Sequence, residues 1–299
     1  WILKRYASLI NLSPASPVML HHIPRFLARN LAGDKRTKVA FLLIDGLALD
    51  QWITLRNVLK ELDSRLQFRE SAVFAWIPTL TSVSRQAAFA GKPPMFFPTN
   101  IRTTDRESNL WAQFWAEQGL SANDIAYIRG LGNEISSKHY EVLKQDRLRV
   151  AGLVVDKIDR IMHGMQLGTA GMHNQIWQWT KQGFMRDLLS ILIDNDFRVY
   201  ITSDHGNIEA KGIGCPNEGV TAELRGERVR IYSDPSLRTK CKMSFPDSLE
   251  WPSIGLPEDY YALIAPSRAA FIRKDDVIVS HGGISIEEVI APFIEVERV

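Results

Sequence analysis

Apolar runs that give way to carboxylates recur along the chain. KVAFLLID (38–45), VAGLVVDKID (150–159) and FRVYITSDHG (197–206) each end in acid, with one histidine beside the last. Runs without polar alternation read as parallel strands covered on both faces. AVFAWI (72–77), stopped by Pro78, reads as a fourth. Between them, LALDQWITLRNVLKEL (47–62) places Leu, Trp, Ile and Val at helical spacing, SVSRQAAFAG (82–91) reads as a helix closed by Gly91, and a long helical stretch covers 171–195. ERVRIY (227–232) reads as a strand, and YYALIAP (260–266), VIVSHGG (277–283) and FIEVERV (293–299) are expected to close the sheet. Strands alternating with helices predict an α/β fold, a mainly parallel sheet with helices on both faces. Ligands of such sheets sit beyond the carboxyl ends of the strands.

Two stretches break the rhythm. Residues 92–150 lose clear alternation and carry polar, Arg-rich segments, so they read as an insertion with some helix; residues 211–260, rich in turns and charges, read as a second. Residues 1–37 form a basic leader: up to residue 40, Lys4, Arg5, Arg25, Arg29, Lys35, Arg36 and Lys38 face a single acid, Asp34. Such a leader can meet nucleic acid or an acidic partner, or be a solvated helix and loop. It reads as the end of a preceding region, because the chain starts at Trp1 and is expected to be a piece of a longer polypeptide. Residues 38–299 are then the principal domain.

Composition adds little. A chain with 45% hydrophobic and 23% charged residues is globular, and its net charge of +2 names no partner. The longest apolar runs, VAFLLI and AVFAWI, fall far short of the roughly 20 residues that span a bilayer, so no membrane is expected. Cys215 and Cys241 are too few for a disulfide framework and lack metal-ribbon spacing, which suits a reducing, cytoplasmic setting.

The strand ends carry the chemistry. Asp45, Asp156, Asp159, Asp204 and His205 all lie at or just past them, so the fold brings these residues to one sheet edge. One acid there is ordinarily the N-cap of the next helix. Three strands feeding acids to one edge, with histidines nearby, point to a metal site. Asp159 and His163 are four apart, on one helix face, where they could also be a surface ion pair. His281, in SHGG, can join them because two glycines let backbone and metal come close. The residues divide into Asp45/Asp204/His205 and Asp159/His163/His281, a donor mix suited to zinc and tolerated by manganese or iron. Two such ions about 3.5–4 Å apart would clamp the attacking and leaving oxygens of an in-line displacement at phosphorus. IPTLTSVSRQAAFAG (77–91) offers the nucleophile: Thr81 would start a helix, where free N–H groups and the helix dipole favour an anionic phosphoryl group. Neither Thr81 nor Ser82 is followed by Glu or Gln three residues on, so neither completes a capping box. Thr79 competes, and spacing does not exclude it.

Asp45-Gly46, PTLTSVSRQAAFAG, the DxxxH of 159–163, SDHG and the late HGG together resemble the alkaline phosphatase superfamily, in its phosphodiesterase and PglZ branch. PTLTSVSRQAAFAGKPP, TSDHGNIEAKGIG (202–214), ELRGERVRIY (223–232) and SHGGISIEEVIAPFI (280–294) look specifically like PglZ, with wording closest to the type 3 branch of BREX phage-defence systems. The resemblance runs from about residue 38 to the C-terminus. It implies an alkaline-phosphatase-like fold with an inserted cap region. It also implies that Asp45, Thr81, Asp204 and His205 serve one metal, that Asp159, His163 and His281 serve a second, and that Thr81 is the nucleophile. Asp156, three residues earlier, could stand in for Asp159. The CxPSR context of sulfatases and the Ser motif of the mutase branch are absent.

The expected function is a two-metal phosphodiesterase, a nuclease among the options, with Zn2+ or Mn2+ and with nucleic acid, a nucleotide or another phosphoryl ester as substrate. Arg85 and Arg225 are candidates for holding phosphate oxygens, since a guanidinium can bind two of them, although a solvated surface arginine is the commoner case for each. Other phage-defence proteins are the expected partners. The rival readings are a phosphomonoesterase, a nucleotide pyrophosphatase, or an inactive scaffold that keeps the fold.

Overall fold

The computed structural model describes residues 1–33, 36–217, 222 and 224–299, with Leu224 and Arg225 as backbone only. Its central sheet has six strands in the order β2 (Leu66–Phe74), β13 (Ile290–Arg298), β5 (Phe197–Thr202), β1 (Lys38–Ile44), β4 (Val150–Val155) and β3 (Ile125–Leu131). β1 runs parallel to β4 and β5, and β3 parallel to β4, while β13 runs antiparallel to both β5 and β2. β4 is buried throughout and β1 at all but its first residue, the burial expected of parallel strands covered on both faces.

The period-2 side-chain geometry of β1 divides the core. Ala40, Leu42 and Ile44 join one cluster with α3 (Leu49–Leu62), α8 (Gly168–Lys181) and α9 (Phe184–Asp194). Val39, Phe41 and Leu43 join the other with α2 (Ile23–Leu31), α4 (Thr81–Ala90) and α5 (Glu107–Glu117). On that second face the indole of Trp111 lies over β4, where a Cβ at Gly152 would come within 2.9 Å of the ring, so the position admits only hydrogen.

Two smaller sheets flank the central one. β7 (Leu224–Arg225), β8 (Val229–Tyr232), β10 (Tyr261–Ile264) and β9 (Leu249–Trp251) form an antiparallel sheet; β11 (Ala269–Ala270), β6 (Ile208–Gly212) and β12 (Val277–Ser280) form the other. The remaining helices are α1 (Ile2–Leu9), α6 (Ser137–Leu143), α7 (Lys157–His163), α10 (Pro235–Ser244) and α11 (Ile286–Val289). Among the described residues no helix is long and apolar enough to cross a membrane.

Several expectations need correction. Of the three late strands, only the last joins the central sheet; β10 and β12 belong to the flanking sheets, a partition set by pairing rather than by hydrophobic period. The strand placed at 72–77 is β2, which begins at Leu66 and whose middle is exposed, as an edge strand allows. The helical stretch 171–195 is two helices, broken at Gly183 with φ at 90°. The stretch 92–150 supplies strand β3 to the central sheet. The basic leader packs on the molecule through Tyr6, Leu20, Ile23 and Leu27, all fully buried, while Lys4, Arg5, Arg25 and Arg29 stay exposed.

Candidate metal centre

Ile44 lies opposite Val155, and Leu43 opposite Thr202, so β1, β4 and β5 end nearly level. The residue after each strand therefore emerges at the same edge. Asp45 is tied there by its N–H to the Val155 carbonyl (2.9 Å), and Gly46 turns the chain with φ at 72°. Its N–H donates to Asp204 Oδ1 (3.0 Å), and its carbonyl accepts from Asn207 Nδ2 (2.8 Å), latching the β1 turn to the SDHGN loop. Asp45, Asp204 and His205 are buried, and ligand atoms of all three lie within 4.8 Å of one another.

His205 Nδ1 is 3.0 Å from the Gly206 carbonyl, to which it donates as N–H. The lone pair of Nε2 then faces the cluster, a tautomer suited to metal ligation. The Thr81 hydroxyl stands 3.1 Å from this Nε2. Thr81 is the first residue of α4, whose N-cap, Leu80, gives no side-chain cap. It is partly exposed where Ala75–Leu80 and Ser82–Ala90 are buried, so the site opens at this hydroxyl. Thr79 is engaged differently: its fully buried hydroxyl donates to the Gly283 carbonyl (3.0 Å) and accepts from Gly282 N–H (2.9 Å).

Asp159, His163 and His281 form the second cluster, again with ligand atoms within 4.8 Å. Asp159 and His163 face each other on α7 (3.4 Å), while Asp156, at the N-cap, pairs with Arg160 (2.6 Å). His281 Nδ1 donates to the Thr79 carbonyl (2.7 Å), which turns Nε2 inward. The His281 and His205 rings stack at 3.9 Å, so the two clusters adjoin. The two glycines after His281 serve a purpose other than the one expected. A Cβ at Gly283 would come within 2.5 Å of Arg228 Nη2, and one at Gly282 within 2.8 Å of Val229, so they admit protein side chains rather than a metal.

Burial and the neighbouring Asp204 raise the Asp45 carboxyl well above the usual range, against the pull of Arg85. Desolvation and the charge of His205 lower His281 to about 4. His163 is raised by its hydrogen bond to Asp159; burial opposes ionisation of Asp159, but His163 and the other histidines outweigh it and leave its pKa low. Asp45 Oδ1 and Asp204 Oδ2 are buried without any hydrogen-bond partner. Leaving a buried acceptor unpaired costs roughly 1–3 kcal/mol, and a cation between the two would offset that cost. These residues fit a metal ion.

Arg85 is not aimed at an open phosphate site. Its guanidinium is buried between Asp45 Oδ2, at Nη1, and Glu107 Oε1, 2.8 Å from Nε. Tyr127 donates to the other Glu107 oxygen (2.6 Å). Arg225 is in β7, and its side chain lies outside the described residues. Glu107 and Tyr127 escaped the sequence reading because they come from α5 and β3 in the stretch without clear periodicity. So did the buried pair Arg228–Glu288 (2.7 Å), which holds Gly283 N–H (2.8 Å) and with it the His281 loop.

The fold and this edge of carboxylates and imidazoles define an alkaline-phosphatase-like α/β protein. The solved structures most like it include murine ectonucleotide pyrophosphatase/phosphodiesterase 5, with a TM-score of 0.58, 14% identity, and 86% of this chain and 88% of that one covered. An inactive variant of the murine protein in complex with AMP gives 0.56 at 13% identity, over 86% and 87% of the two chains. Phosphonoacetate hydrolase from Sinorhizobium meliloti 1021, in complex with phosphonoformate, gives 0.51 at 12%, over 87% and 90%. No curated protein matches the sequence significantly. The family described as the BREX system PglZ alkaline phosphatase-like domain matches residues 24–296, and the chain belongs to it. It is a phosphoesterase-like component of a phage-defence system.

Proposed function

We propose that the chain is a two-metal phosphodiesterase with Thr81 as its nucleophile. The observation that carries this reading is the Thr81 hydroxyl, 3.1 Å from His205 Nε2 at the uncapped start of α4, where the site opens. Asp45 Oδ1, Asp204 Oδ2 and His205 Nε2 would hold one ion, and Asp159, His163 and His281 the other. A carboxylate and imidazole set favours Zn2+, with Mn2+ the second choice. Bound metal supplies Lewis acidity, lowering the hydroxyl pKa and offsetting charge on the phosphoryl oxygens.

The chain's own groups account for the rest. The free N–H groups at the start of α4 receive the anionic phosphoryl group. Thr81 Oγ1 forms the bond to phosphorus as its O–H bond and the ester P–O bond break, and the released alcohol takes up, through solvent, the proton that the threonine gives up. Water then attacks phosphorus, the bond to Thr81 Oγ1 breaks, and the threonine hydroxyl is restored with a proton from that water. Thr79, with both its hydroxyl contacts inside the His281 loop, keeps that histidine in place.

The substrate class is a phosphoryl diester of the nucleotide or nucleic-acid type, a reading supported by the AMP complex of the murine structural relative. Other proteins of the BREX system are the proposed partners, and a chain with only two cysteines suits a cytoplasmic setting. Thr81→Ala is expected to lower cleavage of a chromogenic phosphodiester by a factor on the order of 10^4 or more with metal content unchanged. Retained cleavage would remove Thr81 from the mechanism.

A further inference from the structure

We infer that Arg85, Glu107 and Tyr127 form a positioning relay that fixes Asp45 so that one carboxylate oxygen, Oδ1, is offered to the metal. This rests on the reading of Asp45 as a ligand. Four elements contribute: Asp45 follows β1, Arg85 lies on α4, Glu107 opens α5 and Tyr127 lies in β3. Asp45 is 4% exposed, Arg85 7% and Glu107 1%. Removing three charges from water costs several kcal/mol per ion, and a chain laid out in one sequence of contacts is how that cost is met here. Arg85 Nη1 grips Asp45 Oδ2, Arg85 Nε donates to Glu107 Oε1 (2.8 Å), and Tyr127 donates to Glu107 Oε2 (2.6 Å).

The comparison with Asp204 shows what the relay does. Asp204 Oδ1 accepts from the backbone N–H groups of Gly46 (3.0 Å) and His205 (3.1 Å), and its Oδ2 accepts no hydrogen bond and lies 3.4 Å from His205 Nε2. Asp45 has the same division: Oδ2 is held and Oδ1 has no partner. Backbone donors orient one carboxylate, and the relay orients the other. Glu107 is needed because an arginine facing Asp45 alone would compete with a divalent ion for its charge. Shared between two carboxylates, the guanidinium is not taken up by Asp45 alone, and with both carboxylates ionised, as metal binding requires, the group of three is left with a net negative charge for the cation. Partners behind a ligand typically change metal affinity about 10–100-fold when lost.

The test uses Zn2+ and the whole, substrate-free chain, with affinities measured by chelator competition and stability of the metal-free protein by thermal melting. Glu107→Gln keeps the shape and removes the charge. It should weaken one of two ions by about 10–100-fold, leave the other unchanged, and lower kcat without raising KM for the chromogenic diester. Tyr127→Phe removes a single hydroxyl and should weaken the same ion by a smaller factor; it carries the test if Glu107→Gln does not fold. Wild type binding Zn2+ and both folded variants binding it equally well would overturn the relay while leaving the metal site standing. Unchanged affinity with a raised KM would overturn it too, placing Arg85 on the substrate. Wild type that binds no Zn2+ would overturn the metal reading itself.

Discussion

Thr79 and Thr81 are two residues apart and are placed for different tasks. Both were open as nucleophiles in the sequence because a motif gives order along the chain and not the direction of a hydroxyl. The structure supplies that direction: Thr81 toward His205, Thr79 into the His281 loop. Thr79→Val leaves Gly282 N–H without its acceptor, so it should destabilise the fold by about 1–3 kcal/mol and reduce cleavage without abolishing it; melting and diester assays check both. Asp156 and Asp159 separate the same way. Asp156→Asn should change stability by no more than about 0.5 kcal/mol and leave cleavage intact, because Asp156 pairs with exposed Arg160. Asp159→Asn should lose the second ion, and equal metal content in the two variants would contradict this assignment.

At the scale of elements, legibility followed burial. β1 and β4 were read directly because strands covered on both faces are uninterrupted apolar runs, and β1, β4 and β5 delivered Asp45, Asp159, Asp204 and His205 to one edge. β3, IAYIRGL, was missed: an edge strand with Arg129 and Gly130 in its exposed half carries no such run. With it went Tyr127, and with α5 went Glu107, since a contact among three elements leaves no local motif. The face between β4 and α5 is closely packed, so Gly152→Ala should cost about 1–3 kcal/mol through overpacking against Trp111, read as a lowered melting temperature. Below the His281 loop, burial alone would raise Glu288, but Arg228 and the Ser285 and Gly283 donors outweigh it and hold its pKa below the usual glutamate value. A carboxyl depressed in the folded state contributes stability that is present above its unfolded pKa of about 4.3. That stability is lost as pH falls through the lower folded value. Glu288→Gln should remove this acid-side loss and, at pH 7, destabilise by about 3–5 kcal/mol by stranding buried Arg228.

Over the whole molecule, the sheet edge brings two clusters of like composition side by side, joined by stacked His205 and His281. Its cost in the metal-free state is the pair of unpartnered carboxylate oxygens, so metal should stabilise the fold: about 2.7 kcal/mol per ion at a hundred times its Kd. A phosphodiesterase should also turn over a bis-substituted phosphate faster than the mono-substituted one, and the opposite ranking would move the protein to the monoesterases. The most direct test of the two-metal claim is the metal content of purified protein, saturated and then dialysed, measured together with diester cleavage. Close to two ions per chain are expected, with cleavage lost on chelation and restored by Zn2+ or Mn2+. A folded chain that holds no metal, or that cleaves equally well without it, would contradict that claim.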